Sequence, residues 1–287
     1  MKLGKINKLS IVNNAYVSVL RDIYKPPHSL FIAGELPPER RPTVAIVGSR
    51  KPTPYGTEVT HKLAYELAKQ GIVIISGLAY GIDAVAHKAA LEAGGTTIAV
   101  LAGGLHRIYP ASNAGLAQEI LQKGGAIISE QEMGIEAHKH HFLARNRLVS
   151  GLADAVIVTE ATDRSGTFST VSHAISQNKE VFAVPGPITS LLSVGPNRLL
   201  QQGAHVALEA RDILEVIAPH LKPQQQTLPL GNTPLEAEII KLIQAGISDG
   251  EQLQQQIGEE ASVFLQTITL MELKGTVHSS GANHWAV

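Results

Sequence analysis

The chain has 287 residues, 44% of them hydrophobic, a formal net charge of −1 and no cysteine. That length and apolar content bury a sizeable core in one large domain with room for a small companion, and they exclude a disordered chain. Without cysteine there are no disulfides, thiolate nucleophiles or cysteine-ligated metals. Because charge is nearly balanced, an anionic partner must be met by a local concentration of cations.

The first 40 residues are expected to be a short extension, with a short helix around Val12 to Ile23 and a lead-in through Pro26, Pro27, Pro37 and Pro38. Lys2, Lys5 and Lys8 precede no apolar run long enough for export, and no segment approaches the roughly 20 apolar residues of a membrane helix. A cytoplasmic protein without membrane insertion is expected.

From residue 41 onward, apolar runs recur at Thr43 to Val47, Ile72 to Ile75, Thr97 to Leu101, Ala126 to Ile128, Ala155 to Thr159, Val181 to Val184 and Ala204 to Val206. Most are continuous rather than alternating, as in strands covered on both faces. Between them, Tyr55 to Gln70, Asp83 to Ala93 and Ser112 to Lys123 carry apolar residues at helical spacing, with glycines at their ends. Alternating strands and helices predict a Rossmann-like α/β three-layer sandwich with a mainly parallel sheet over residues 41–218.

Residues 219–233 are rich in Pro and Gln and read as a linker. Beyond it, Leu235 to Gln244, Asp249 to Gln256 and Glu260 to Leu273 predict three short helices. A hairpin near Lys274-Gly275-Thr276 and Gly281 would complete a winged-helix-like domain over 234–287. Residues 1–229 hold 22 Lys and Arg against 18 Asp and Glu, whereas residues 230–287 hold 2 against 7. An acidic domain of this kind is poorly suited to phosphates, and reads as a packing or partner-contact module.

Parallel sheets bind ligands at the carboxyl ends of their strands. Gly48-Ser49-Arg50 follows the first strand, where glycine and a helix N-terminus favour an anion and Arg50 can clamp phosphate oxygens; the alternative is an ordinary turn. In Ser76-Gly77-Leu78-Ala79-Tyr80-Gly81-Ile82-Asp83, Asp83 is expected to cap the helix that carries a structural His87. Lys139, Phe142, Arg145, Asn146 and Arg147 lie within nine positions, and Ser165-Gly166-Thr167 opens a later helix with further donors. Cations beside a ring suit a polymer with phosphate links and flat bases. His138, His140 and His141 are read as solvated rather than metal-bound, since adjacent rings should diverge and no carboxylate recurs at ligand spacing. No cofactor or metal is expected, and no P-loop occurs in the chain.

Taken in order, these segments resemble the DNA-processing protein A family, also called Smf, over roughly residues 40–210. The likeness rests on Gly48-Ser49-Arg50 with Tyr55-Gly56, Ser76-Gly77-Leu78-Ala79 with Gly81-Ile82-Asp83 and Ala86-His87, and Tyr109-Pro110 with Asn113. It continues through Ser129-Glu130, Phe142 with Arg145-Asn146-Arg147, Ser165-Gly166, Pro185-Gly186, and Asn197 with Gly203-Ala204. The resemblance implies a homodimer that binds single-stranded DNA, protects it and loads a RecA-type recombinase during natural transformation, without bond-making chemistry. It places Arg50, Lys139, Phe142, Arg145, Asn146 and Arg147 on the DNA. Three departures stand out: Tyr80 where the family commonly has arginine, Pro196 between Gly195 and Asn197, and an N-terminal region shorter than the family's helical domain. The alternative is a nucleotide phosphoribohydrolase resembling the lysine-decarboxylase-like family, although Pro185-Gly186-Pro187 breaks that family's glycine loop and only Glu160 and Ser165-Gly166-Thr167 imitate its site.

Overall fold

The computed structural model describes residues 3–219, 233–281 and 283–286. The chain forms two compact units, Met1–Leu221 and Lys222–Val287. The expected linker lies almost wholly outside the described residues.

The first unit is built on a nine-stranded sheet in the order β1-β2-β6-β5-β4-β3-β7-β8-β9. Its strands are β1 (Ile6–Ser10), β2 (Ser29–Gly34), β3 (Thr43–Val47), β4 (Val73–Ser76), β5 (Thr97–Leu101), β6 (Ala126–Ser129), β7 (Ala155–Val158), β8 (Glu180–Ala183) and β9 (His205–Val206). Strands β3 to β9 are parallel, and β1 and β2 run antiparallel at one edge. All seven expected strands are present to within about a residue at each end.

Alternation along β3 explains the continuous apolar runs. Ala45 and Val47 pack into one layer with Leu148, Val149 and Leu152, while Val44 and Ile46 pack into the opposite layer with Leu63, Leu67 and Ala86. The helices concerned are α1 (Pro54–Lys69), α2 (Ile82–Glu92) and α4 (Lys139–Leu152). They are joined by α3 (Ala114–Gln122), α5 (Thr167–Ser176), α6 (Val194–Gln201) and α7 (Ala210–Ile217). A sheet with apolar helices on both faces is the predicted three-layer sandwich.

The first 40 residues are more than an extension. In place of the expected helix there is one 3-10 turn, Ser18–Asp22, flanked by β1 and β2, and β2 pairs with β6. Tyr16 is fully buried, and its hydroxyl lies 2.7 Å from Thr43 Oγ1 at the start of β3. Burial pushes its phenol up to about 12.

The second unit contains α8 (Pro234–Gln244), α9 (Gly250–Ile257), α10 (Ala261–Leu273) and a hairpin of β10 (His278–Gly281) and β11 (His284–Ala286). Thr233 and Asp249 accept backbone N–H groups at the starts of α8 and α9, and Gly258 ends α9 in the left-handed conformation. Ile239, Leu253, Phe264, Ile268 and Met271 form its core. Among the described residues, no helix is long and apolar enough to cross a membrane.

Candidate nucleic-acid interface

In chain order, the parallel strands run β3, β4, β5, β6 to one side and then β7, β8, β9 to the other. Neighbouring connections therefore leave β3 and β7 in opposite directions, which opens a crevice at their carboxyl ends. A cavity of about 650 Å³ occupies that crevice. It is lined by Gly48 and Arg50 after β3, Ala79 and Asp83 at the start of α2, Tyr109 after β5, Lys139, Phe142, Arg145 and Asn146 on α4, and Ser165, Gly166 and Thr167 at the start of α5.

Two close backbone approaches bring the loops together. Gly81 has φ +72°, and a Cβ there would overlap the carbonyl of Ser49, so the loop after β4 lies directly on the loop after β3. Ile82 N donates to Ser49 O at 3.1 Å across the same junction. A Cβ on Gly77 would overlap the Arg145 guanidinium. Small residues at these two points are what allow a buried arginine beneath the crevice.

Arg145 is only 7% exposed, and its Nη1 donates to the carbonyls of Gly77 and Val100. Burial lowers its guanidinium to about 10, opposed by Asp83 and reinforced by Arg50, so it keeps its charge at neutral pH. Asp83 is also buried; burial raises its carboxyl, opposed by Arg145. Contrary to the capping expectation, the α2 N-cap is Gly81, and Asp83 Oδ2 accepts from Gly77 N at 3.0 Å and Ala79 N at 3.3 Å. It braces the loop that cradles Arg145. His87 is fully buried, with Nδ1 2.7 Å from Thr97 Oγ1, and burial, aided by Arg145, lowers it to about 3. A neutral structural histidine is the result.

Arg50 and Lys139 are exposed, and neither forms an ion pair among the described residues. The Arg50 guanidinium lies 5.5 Å from the centroid of the Phe142 ring, Arg145 lies 6.0 Å from it, and Tyr109 meets it edge-on at 5.7 Å. Phe142 is thus a wall against which two guanidinium groups rest, the buried Arg145 and the exposed Arg50, and the Arg50 plane is of the kind that can stack on a flat ring. Ser165 Oγ accepts from Thr167 N at 3.2 Å, and Asn146 Nδ2 reaches Gly166 O at 3.5 Å, joining α4 to α5.

Nine of the eleven sequence-derived residues line the cavity. Ser49 does not; its backbone is tied to Glu160 O and Ile82 N, and its hydroxyl accepts from Lys51 N. Arg147 is also absent: it is buried, and its Nη2 lies 2.7 Å from each Glu130 carboxylate oxygen. It closes an ion pair instead of offering a free cation. Tyr109, 53% exposed, was the aromatic that the residue-level reading passed over, although its place in a loop after a strand exit was a usable signal. Tyr80 is exposed and does not line the cavity.

Pro196 sits in the first turn of α6, where a missing N–H is tolerated, and Asn197 braces the turn through two hydrogen bonds to Gly186. The rings of His140 and His141 do not diverge; their centroids are 4.0 Å apart, with His138 beside both. Among the described residues, no group of three His, Cys, Asp or Glu is placed to hold a metal ion.

The family model for DNA recombination-mediator protein A matches residues 7–218, from within β1 through β9 to the end of α7. The chain belongs to that family. It is 41% identical over 211 residues to the DNA processing protein DprA of Bacillus subtilis, covering 73% of this chain and 71% of that protein. It is 45% identical over 189 residues to protein Smf of Escherichia coli, covering 66% of this chain and 50% of that protein. The chain therefore spans about half the length of the E. coli relative. Among solved structures, DNA processing protein A of Streptococcus pneumoniae superposes with a TM-score of 0.69 at 39% identity, over 75% of this chain and 76% of that one. The Helicobacter pylori DNA processing protein A, described by its single-stranded DNA binding mode, gives 0.66 at 36%, over 77% and 99%. The family match ends before α8, so membership is carried by the first unit.

Proposed function

We propose that this recombination-mediator family member binds single-stranded DNA in the cavity between β3 and β7 and hands it to a recombinase without making or breaking bonds. One observation carries the reading: Arg50, Lys139 and Arg145 converge on a single cavity whose one carboxylate, Asp83, is already committed to backbone N–H groups. Such a site is net cationic and supplies phosphate donors and flat guanidinium faces, which a single strand with unstacked bases can use. The H. pylori relative supports the choice of DNA strand.

The phosphoribohydrolase alternative needs an acid facing the ligand. Glu160 is 2% exposed and spent on Thr53, accepting from its N–H at 2.8 Å and its hydroxyl at 2.5 Å, and it does not line the cavity. Recombinase loading, natural transformation and a cytoplasmic site of action belong to the same reading, and family membership supports them. The reading includes a homodimer, for which the exposed apolar side chains Ile175, Ile188, Leu191, Val206 and Leu208, on or beside α5, α6 and β9, are candidate contacts. The winged-helix-like second unit, over residues 234–287, is read as a contact module for protein and not for DNA, because of its negative charge.

A fluorescence-anisotropy titration with single-stranded and duplex oligonucleotides of equal length tests the reading. Tighter single-strand binding that weakens as salt rises, with a log–log slope near −0.7 per phosphate neutralised, is expected. Salt-insensitive binding, or release of free base from nucleoside monophosphates, would overturn it.

A further inference from the structure

A second recess of about 180 Å³ adjoins the main cavity and shares Tyr109 and Ala137 with it as walls. On its far side stand His106, Arg107 and Glu136. The loop beneath is held firmly: Gly104 N donates to Ile135 O at 2.8 Å, and Gly134 N donates to His106 Nδ1 at 3.0 Å. Because Nδ1 accepts that bond, the neutral ring carries its proton on Nε2 and keeps a donor for a ligand.

Arg107 is the cation of this recess. Its side chain is 68% exposed and pairs with Glu136 at 3.2 Å, itself 63% exposed. An exposed pair of this kind contributes little, so a phosphate can displace the carboxylate at small cost. Tyr109 meets Phe142 by a ring edge and leaves half its surface to solvent, between the two recesses.

We propose that the smaller recess is a second nucleotide subsite, in which Arg107 and His106 take the phosphodiester next to the nucleotide held in the main cavity while the adjoining base lies on Tyr109. Its volume is below the roughly 300–1,000 Å³ of a site for a whole drug-sized molecule, which fits a backbone fragment and not a separate ligand. The shared wall gives the strand its path: on leaving Arg50 and Phe142 it passes Tyr109 and reaches Arg107. A duplex cannot follow, because its bases are stacked and unavailable to Tyr109. This inference rests on the single-strand reading of the main cavity.

The test compares thymidine 5′-monophosphate, which reaches only the main cavity, with an oligothymidylate as the longer strand, on the full chain. Arg107→Ala is expected to weaken the longer strand roughly tenfold, make its salt slope shallower by about 0.7 and leave the mononucleotide unchanged. Glu136→Gln, which frees Arg107, is expected to tighten the longer strand by up to about fivefold. Both substitutions are at exposed side chains, and circular dichroism would check that folding is intact. If both variants bind the longer strand like the parent while Lys139→Ala loses it, the subsite is wrong and the main cavity stands. If the parent binds neither ligand, both readings fall.

Discussion

At the amino ends of β3 and β7, Arg40 meets Asp154 at 2.7 Å, donates to Thr43 Oγ1 at 2.9 Å and covers the buried Tyr16 ring at 5.2 Å, while Asp154 also accepts from Thr43 N at 2.8 Å. At the carboxyl ends of the same strands, Arg50 and Lys139 have no carboxylate partner among the described residues, and Arg145 is held by carbonyl oxygens. The same side-chain chemistry is closed at one end and open at the other. Matched charge fastens the first 40 residues to the sheet, whereas unmatched charge, held in place by loops with close-packed glycines, is available to a ligand's phosphates.

The largest effect should come from the residue that belongs to both regimes. Arg145→Met leaves the carboxylate of Asp83 buried without its cation and two carbonyls without a donor, so denaturant unfolding should show a loss of about 3–5 kcal/mol together with lost DNA binding. Stability unchanged by this substitution would break the claim that the cavity floor is structural. Asp154→Ala should cost about 1–3 kcal/mol by the same measurement while DNA affinity remains that of the parent, which would separate the closed end from the open one.

A pH series sharpens the contrast further. His87 titrates near 3 in the fold and near its ordinary value of 6.5 when unfolded, so only the unfolded chain takes up this proton over that window. Stability is then fully present above about 6.5 and falls as the pH drops toward 3, by up to about 1.4 kcal/mol per pH unit. Asp83, raised by burial, acts in the opposite sense. His87→Gln leaves Asp83 in place and should flatten the decline seen by urea titration at successive pH values; an equally steep decline would exclude His87 as its source.

How much of this was legible in the sequence follows from burial. Strands β3 to β8, and less completely β9, announce themselves because residues on both faces must be apolar. Strand β1 does not: Ile6–Ser10 lies at the sheet edge with Asn7, Lys8 and Ser10 exposed, so its pattern is that of a surface loop. The apolar residues of Val12 to Ile23 mimic a helix because Tyr16, Val17 and Leu20 are all drawn into the core by a turn.

At the site, strand exits converging on a crevice brought Arg50, Lys139 and Arg145 together as expected. The opposite fates of Arg145 and Arg147 are legible in helical geometry: positions two apart point to opposite sides, so one arginine faces the cavity and the other Glu130. Asp83 as a brace was not legible, since it depends on the conformation of the Gly77 to Ala79 loop.

The smallest expected effect on folding belongs to the open cations. Arg50→Ala and Lys139→Ala, both at exposed positions, should change unfolding free energy by no more than about 0.5 kcal/mol. Their effect on DNA is the direct test of whether unmatched charge is the binding determinant. In a salt series with a single-stranded oligonucleotide, the double variant should bind more weakly and its log–log slope should be shallower than the parent's by about 1.4, for two lost phosphate contacts. An unchanged slope in a folded double variant would contradict the account.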